Sequence, residues 1–558
     1  MPNLRSQQQL WLCLVTLGLL LPFVGKAFHI DDPMFLWTAE QISTAPADFF
    51  GFDVNWYGFS QPMYEVNKNP PLVSYYLALV AWIAGWSELA LHLGMLLPTL
   101  GLSLGIYRLA ERFCDKPFLA AMIALTAPVF LVSATSLMSD VPMLALWCWA
   151  LVFFIRGIDH DRRRDFIIAG CLMGLCALAK YFGLALIPLA LVYGAARKRG
   201  PGPWLISIAL ALGIVVVFDL YTRALYGFDP LFDVAGYAIN PNVRFRVTPL
   251  QRLATGFFFL GGCTLGSALF APWLWPRRTL AAMLLCFSLI AALFVYAFNP
   301  FEDGGLGIAV QVQQVLFAFV GLHLIALAVA DFARRRDPEA LLLILWLFGV
   351  FFFATFTNWT TNGRSILAAT PVVGILLVRR LAAVEAGLGV GADVEVGPLR
   401  PQWLVAILLP SLAIAIAVAR ADADWADSGR VAAREFAEGP AEGKSRLYFQ
   451  GSWGFQRYME LAGFTRLALS ETVLVPGDRV VVAFDNSNVF KLPPGRSKPI
   501  GIHRFESSKF ITLMSRQRSA GFYASVWGSL PYSFGSAAQD RYQVFRMTRD
   551  WAPKRRKK

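Results

Sequence analysis

The chain has 558 residues, of which 56% are hydrophobic and only 16% are charged, and its formal net charge is +13. Soluble globular proteins average about 25% charged residues. The composition and the mean hydropathy of +0.53 therefore indicate a membrane-embedded protein and exclude an ordinary soluble enzyme. Because the basic residues fall in short clusters between apolar runs, they follow the positive-inside pattern of membrane proteins and argue against a nucleic-acid role.

The first apolar run, residues 10–28, has no small-x-small cleavage site and is predicted to be a retained helix rather than a signal peptide. Later runs have lengths suited to a bilayer or to a helix bundle. They cover residues 89–108, 118–137, 141–158, 165–179, 181–196, 203–224, 251–275, 279–298, 309–331, 339–357, 365–380 and 402–420. The sequence therefore predicts a polytopic α-helical membrane protein with about 13 transmembrane helices.

Basic clusters follow alternate helices, which fixes a predicted topology. The clusters are Arg108/Arg112/Lys116, Arg156 with Arg162 to Arg164, Arg197/Lys198/Arg199, Arg277/Arg278, Arg334 to Arg336, and Arg379/Arg380. With all of them in the cytoplasm, the N-terminus is cytoplasmic and the C-terminus lies outside the inner (plasma) membrane. Residues 70–86 are also apolar, but a crossing there would move every later cluster outside. We therefore expect residues 70–86 and 33–44 to form juxtamembrane helices within a first outer loop, residues 29–88.

The composition changes after the last apolar run. Residues 1–420 are predicted to form the membrane domain and residues 421–558 a small C-terminal α/β domain outside the membrane. Strand-like runs occur at residues 446–450, 479–484 and 542–547, and a helix-like run at residues 453–463. The Gly- and Val-rich stretch 381–401 is typical of a linker.

Two carboxylates, Asp31 and Asp32, follow the first helix directly. An exposed acidic turn or a helix cap is at least as good an interpretation as a catalytic group when these residues are taken alone. Pro33 suits the first turn of a helix, so Asp32 is predicted to cap it and Asp31 to be free for a substrate. The predicted topology places Asp140 on the same outer side, and His29 lies beside the pair.

Cations near the outer ends of the predicted helices are few: Lys68, Lys180, Arg244, Arg246, Arg252 and Arg364. Lys180 lies between two short apolar runs, where an ionisable side chain is costly and is more often functional than incidental. Carboxylates and cations on one face suit a substrate with an anionic head group and a lipid tail.

Four blocks, DDPMFLWTAEQI, NPPLVSYYLAL, SDVPMLALW and AKYFGLALIP, occur in this order within residues 10–200. Together they resemble the GT-C membrane glycosyltransferases, above all the bacterial branch similar to protein O-mannosyltransferases and aminoarabinose transferases. The resemblance implies the GT-C fold and inverting transfer of a sugar from a polyprenyl-phosphate carrier to a protein, lipid or polysaccharide acceptor outside the cytoplasm.

The resemblance also implies roles for individual residues. Asp31 aligns with the catalytic base and Asp140 with the second acidic site, while Asp32 replaces a more usual Glu. Lys180, with Tyr181 in the same block, is expected to bind substrate, as are Asp32, Lys68 and Asn69. Apart from the resemblance, Arg364 is expected to do so from its position in an outer turn and His29 from its place beside the acidic pair. The family commonly has His or Lys directly before the double proline, where this chain has Asn69 with Lys68 one step earlier. A divalent cation (Mg, Mn or Zn) on Asp31 and Asp140 is conceivable, although the sequence has no dedicated set of metal ligands.

Two other function classes compete with the enzyme. A multi-spanning lipid or solute transporter or flippase would also use buried charges, but the sequence lacks the matched halves with broken helices that many transporters have. A scaffold that presents the outer domain to a partner gives no reason for Lys180 or the acidic pair. The enzyme interpretation is preferred.

Overall fold

The structure is a computed structural model that describes residues 2–198, 200–227, 229–239, 247–298, 307–387, 400–438, 446–536 and 539–552. Arg244, Arg246 and most of the predicted linker 381–401 lie outside the described residues.

Helices dominate the described chain. In the first half they are α1 (Pro2–Leu20), α2 (Asp32–Thr44), α3 (Met63–Val66), α4 (Leu72–Ala84), α5 (Glu88–Phe113), α6 (Pro117–Leu125), α7 (Pro128–Ala134), α8 (Asp140–His160), α9 (Arg163–Ala179), α10 (Leu186–Lys198), α11 (Leu205–Tyr226) and α12 (Pro230–Ile239). In the second half they are α13 (Pro249–Cys263), α14 (Ala271–Leu274), α15 (Arg277–Phe298), α16 (Ile308–Arg335), α17 (Pro338–Phe352), α18 (Gly363–Ile366), α19 (Thr370–Glu385), α20 (Pro401–Glu438) and α21 (Trp453–Leu461).

The membrane character of this bundle is confirmed. Among the described residues, eight helices are long and apolar enough to cross a membrane, and two pairs, α6 with α7 and the segment 249–274, are bent by 69° and 75° and raise the number to ten if each is one span. The other three predicted spans correspond to α1, α9 and α10, which have 19, 17 and 13 residues. Their crossing stays a prediction.

The two predicted juxtamembrane segments form α2 and α4, which pack against each other. Each helix has 13 residues, and at 1.5 Å per residue this is about 20 Å, short of the roughly 30 Å hydrocarbon core. Trp82 and Ile83 of α4 are 83% and 70% exposed. The length and the exposed apolar side chains favour the predicted position at the membrane surface.

An ion-pair network joins helix ends that the topology prediction places on one side. Arg112 at the end of α5 contacts Asp159 near the end of α8 at 2.9 Å and Glu339 at the start of α17 at 3.0 Å. Arg197 at the end of α10 contacts the same Asp159 at 2.7 Å. These four helix ends therefore meet at one end of the bundle, as the alternation of basic clusters predicts.

Arg379 and Arg380 form one of the basic clusters that the topology prediction places in the cytoplasm. They are 2% and 7% exposed. Arg379 Nη2 lies 2.9 Å from Asp331 Oδ2 of α16, and Arg380 Nε donates to the Leu274 carbonyl oxygen at 3.0 Å. This basic pair therefore joins helices within the bundle.

The C-terminal part contains strands, as predicted. They are β3 (Leu447–Gln450), β4 (Thr465–Arg466), β5 (Arg479–Ala483), β6 (Ser497–Phe505), β7 (Ile511–Thr512), β8 (Met514–Ser515), β9 (Ala520–Gly521), β10 (Ser533–Phe534) and β11 (Asp540–Met547), while β1 (Asp53–Asn55) and β2 (Ser60–Pro62) form a hairpin in the first outer loop. The main sheet has the order β4-β3-β5-β11-β6, with β3 parallel to β4 and β5 and with β11 antiparallel to β5 and β6.

Helix α20 connects the bundle to this sheet. It runs without a break through residue 421, where the sequence places the domain boundary, and its last turns pack with α21 on the sheet. The shared core includes Ala433, Phe455, Val481 and Val544. One continuous helix therefore joins the bundle to the strand-containing domain.

Candidate active site

Four of the predicted site residues form one charged network. Arg364 Nη2 donates to Asp31 Oδ2 at 3.0 Å, and its Nη1 lies 3.9 Å from Asp140 Oδ2. Lys180 Nζ donates to the other oxygen of Asp140 at 2.5 Å. The network thus alternates two carboxylates with two cations, drawn from four segments that are remote in sequence.

The two carboxylates of the network differ in accessibility. The Asp31 side chain is 28% exposed, whereas that of Asp140 is 3% exposed. Asp140 is the first residue of α8, where the helix dipole favours a negative charge. Its Oδ2 has no hydrogen-bond donor within reach. Asp31 is therefore the carboxylate that a substrate can reach. Asp140 is buried and contacts both cations, Lys180 and Arg364.

Asp32 has a different role from its neighbour. Its side chain is fully buried, and its oxygens accept from the backbone N–H groups of His29 at 2.8 Å and Leu137 at 3.0 Å. The prediction that Asp32 caps the next helix is wrong, because Asp31 holds the N-cap position of α2 and Asp32 is its first residue. Burial raises the pKa of Asp32 to about 7, against the lowering effect of Lys26 and of the two N–H donors. Asp32 fastens the acidic turn to the segment before α8.

The backbone at the acidic turn is strained. Ile30, the residue before Asp31, has φ +46°, a value that is unfavourable for a β-branched side chain. Such strain costs on the order of 1–3 kcal/mol and persists only where the surroundings hold it. Here the Asp32 hydrogen bonds hold the turn, and the Phe28 N–H donates to the Tyr458 hydroxyl of α21 at 2.8 Å. The position of Asp31 is therefore imposed by its surroundings.

The turn that carries Arg364 is also held from the C-terminal domain. Asn362 caps α18 by accepting from the Ser365 N–H at 2.8 Å, and the Gly363 N–H donates to the Phe522 carbonyl oxygen at 2.7 Å. A Cβ on Gly363 would lie 2.6 Å from the Phe522 ring, so glycine is needed for this close approach. The Arg364 guanidinium carbon lies 5.7 Å from the centre of the Tyr523 ring.

His29 lies beside the network, in a buried polar cluster. Its Nε2 is 3.6 Å from Asp422 Oδ1 of α20, and its ring packs edge-on against Trp425 at 4.5 Å. Burial nevertheless lowers the pKa of His29 to about 3, so the imidazole is neutral. Asp422 accepts instead from the Lys26 ammonium and from the Tyr523 hydroxyl, the latter at 2.9 Å. The cluster therefore connects the segment between α1 and α2 to α20.

Apart from His29, sequence reasoning missed the members of this cluster. Lys26 and Asp422 have fully buried side chains and form an ion pair. The available signal was a single lysine at the end of the first apolar run and an aspartate just after the last one. Such charges are expensive at these positions unless they are paired.

We expect Lys26→Met to lower the free energy of unfolding by about 3–5 kcal/mol, because it leaves Asp422 as an unpaired buried charge. The double variant Lys26→Met/Asp422→Leu should recover part of this loss, since a well-packed apolar pair often replaces a buried ion pair without cost. Lys116→Met breaks the exposed pair with Glu385 and should cost at most about 1 kcal/mol. Unfolding of the purified protein in detergent, followed by circular dichroism, measures all three. Equal stability of Lys26→Met and the wild type would contradict the assignment.

Lys68, Asn69 and Tyr181 are not part of the network. They line a separate small pocket with Phe50 and Asp233, and Lys68 forms an ion pair with Asp233 of α12. Tyr181 follows Lys180 directly, so this pocket and the network are neighbours along the chain. The structure thus divides the predicted substrate-binding residues between two places.

The predicted metal position does not gain support from the geometry. Among the described residues, no group of three or more His, Cys, Asp or Glu side chains is arranged to hold a metal ion. Asp31 and Asp140 both face the Arg364 guanidinium. We therefore assign no step of the chemistry to a metal.

Comparison with known proteins supports one fold. Residues 68–222 match the family model described as dolichyl-phosphate-mannose-protein mannosyltransferase. Among solved structures, the chain is similar to the oligosaccharyltransferase AglB of Archaeoglobus fulgidus, with a TM-score of 0.50 and 16% identity over 83% of this chain. The chain spans 64% of the length of that protein. No curated protein matches the chain significantly in sequence.

This chain matches a larger share of a second solved structure. ArnT from Cupriavidus metallidurans, bound to undecaprenyl phosphate, has a TM-score of 0.50 and 15% identity to this chain, over 85% of this chain and 93% of ArnT. A further AglB structure, with 14% identity, contains an inhibitory peptide and a dolichol-phosphate. At these identities the similarity concerns the fold alone.

Proposed function

The chain has the fold of the GT-C membrane glycosyltransferases, as its sequence motifs predict, and on that premise we propose that it is an inverting glycosyltransferase that uses a polyprenyl-phosphate-linked sugar. The observation that carries the proposal is the network of Asp31, Arg364, Asp140 and Lys180. It offers one accessible carboxylate and two cations at the same place. The similar structures that contain dolichol-phosphate or undecaprenyl phosphate support the donor class.

In the proposed reaction Asp31 is the general base. It removes the proton of an acceptor hydroxyl or amine as that group attacks the anomeric carbon, which raises rates typically by about 10² to 10⁴. The bond between the anomeric carbon and the phosphate oxygen breaks, and the electron pair leaves with the polyprenyl phosphate. A single displacement of this kind inverts the anomeric configuration.

Lys180 and Arg364 serve the leaving phosphate. The phosphate gains negative charge as the bond breaks, and cations that are already in place stabilise this charge without reorganisation. Asp140 fixes both cations, and Asp32 and His29 position the acidic turn. We assign the pocket of Lys68, Asn69 and Tyr181 to binding of the donor, because Tyr181 directly follows Lys180 in the sequence.

The proposal is tested with labelled undecaprenyl-phosphate monosaccharides and a cell-envelope fraction as acceptor. We expect the purified protein to consume one of these donors, release undecaprenyl phosphate, and yield a product whose anomeric configuration, read by NMR, is opposite to that of the donor. Retained configuration would contradict the single displacement. Label that crosses a proteoliposome membrane without cleavage would support the transporter alternative.

The orientation gives a separate prediction. We expect the network and the C-terminal domain to face the outside of the inner membrane. In a cysteine-free background, Asp53→Cys and Lys491→Cys should react with a membrane-impermeant maleimide added to spheroplasts. Arg162→Cys, on the opposite end of the bundle, should react only after permeabilisation. All three positions are exposed, so the reverse labelling pattern would contradict the topology.

A further inference from the structure

A cavity in the C-terminal domain is lined in part by Trp425, which packs against His29. It has a volume of about 950 Å³ and runs between α20 and the loops around residues 484–497 and 507–517. We call it the α20 groove and define it by six lining residues: Trp425, Asn486, Asn488, Lys491, Arg516 and Trp527. This volume lies at the upper end of the range for small-molecule sites.

One lining residue of the groove contacts the segment that carries the acidic turn. Trp425 lines the groove and also packs against His29, with ring centres 4.5 Å apart. His29 is two residues before Asp31. Trp425 therefore links the groove to the segment that carries the proposed base.

The groove has a rigid aromatic wall. Trp425 and Trp527 line it and are both partly exposed. Each contacts Trp453, at 5.6 Å and 5.8 Å between ring centres. The buried Trp453 thus holds the two lining indoles in place, and aromatic rings fixed in this way provide apolar contact area at low entropic cost.

Two amide side chains that line the groove are fixed as well. Asn486 accepts from the Ser452 N–H at 2.9 Å and donates to the Ser452 carbonyl oxygen at 3.1 Å, and Asn488 donates to the Ser452 hydroxyl at 2.9 Å. The groove therefore combines amide groups of set orientation with an aromatic wall.

The exposed charged side chains that line the groove are mostly positive. Asp485 is paired with Arg541 through two hydrogen bonds, at 3.0 Å and 2.9 Å, and Asp540 is buried and accepts from Ser428. Lys491 and Arg516 are exposed, and Arg516 lies over the Trp527 ring at 5.1 Å. The exposed charges that face a ligand are thus positive.

We propose that the α20 groove binds an oligosaccharide that carries carboxylate or phosphate groups. The C–H faces of sugar rings would pack on Trp425 and Trp527, sugar hydroxyls would bond to the amide wall, and the acidic substituents would pair with Lys491 and Arg516. A lipid tail would offer no partners to the charged side chains Lys491 and Arg516. The assignment of this ligand as the acceptor rests on the proposed transferase function, whereas its binding does not.

Isothermal titration of the full-length protein in detergent with tetragalacturonate tests the proposal. We expect saturable binding of tetragalacturonate and weaker binding of the neutral maltotetraose. Lys491→Gln/Arg516→Gln should raise the Kd for tetragalacturonate about tenfold, which is the combined contribution of two exposed ion pairs. The matched control Lys498→Gln, an exposed lysine of β6 outside the groove, should leave the Kd unchanged. Trp527→Ala should weaken the binding of both tetragalacturonate and maltotetraose.

The results that would overturn the proposal are distinct. Absence of tetragalacturonate binding, an unchanged Kd in the double variant, or equally tight binding of a hexaglutamate peptide would each reject an acidic-oligosaccharide site. Asp31→Asn should bind tetragalacturonate like the wild type. Binding without any sugar transfer by the wild type would refute the proposed function and leave the groove assignment standing, and transfer without groove binding would do the reverse.

Discussion

Asp31→Asn is expected to reduce sugar transfer by at least about 100-fold, the lower end of what a positioned general base contributes. The amide keeps the size of the carboxyl group and can still accept the hydrogen bond from Arg364, but it cannot take the acceptor's proton. Asp31 is the accessible carboxylate of the network, at 28% exposure against 3% for Asp140. Initial rates with a saturating labelled donor measure the effect.

The same variant should leave the protein inserted and folded. Asp53→Asn is the matched control, because Asp53 is an exposed aspartate of the same outer loop and should transfer at the wild-type rate. Donor binding should survive in Asp31→Asn, since the cations remain. Wild-type transfer by Asp31→Asn would refute the assignment of the base, and an equal loss in Asp53→Asn would attribute the defect to the loop as a whole.

The sequence predicted the common location of the network for a physical reason. Helices that alternate direction must place their ends on alternating sides, so counting basic clusters assigned Asp31, Asp140, Lys180 and Arg364 to one face. The structure places all four within one network. The Arg112, Asp159, Arg197 and Glu339 contacts occupy the opposite helix ends.

Pairing within the bundle was beyond the same reasoning. Lys26 and Asp422 are 396 residues apart in sequence. The alternation of basic clusters predicts the side of the membrane on which a charge lies, but not the residue that it contacts. Arg379 and Arg380 illustrate this limit, because the basic-cluster pattern gave their side but not their buried contacts with Asp331 and the Leu274 carbonyl oxygen.

The C-terminal domain shows a similar division. Strand-like and helix-like runs identified three of its strands and α21, since local patterns determine such elements. The contact of Phe522 with Gly363 and that of Trp425 with His29 depend on how the domain packs on the bundle. Local patterns contain no information on that packing, so the contribution of this domain to the candidate site was missed.

Lys180→Met is expected to raise the KM for the polyprenyl-phosphate donor by about 10- to 100-fold, in keeping with 1.5–3 kcal/mol for a hydrogen bond to a charged group. The kcat should fall as well, because the leaving phosphate gains charge in the transition state. The variant leaves Asp140 with Arg364 alone, at 3.9 Å, so Lys180→Met/Asp140→Asn is needed to separate lost phosphate contact from an uncompensated buried charge. The double variant should regain the stability of the wild type, but its KM for the donor should stay raised.

A readout that does not depend on turnover distinguishes the two causes. Undecaprenyl phosphate, the expected product, should inhibit the wild-type enzyme, and its inhibition constant should rise with the donor KM in Lys180→Met. Lys180→Arg, which keeps the positive charge, should restore part of both. Lys116→Met, which breaks a lysine–carboxylate pair at the opposite end of the bundle, should change neither. If the inhibition constant of Lys180→Met equals that of the wild type, Lys180 does not bind the carrier phosphate, and its contact with Asp140 serves only to hold α8 and α9 together.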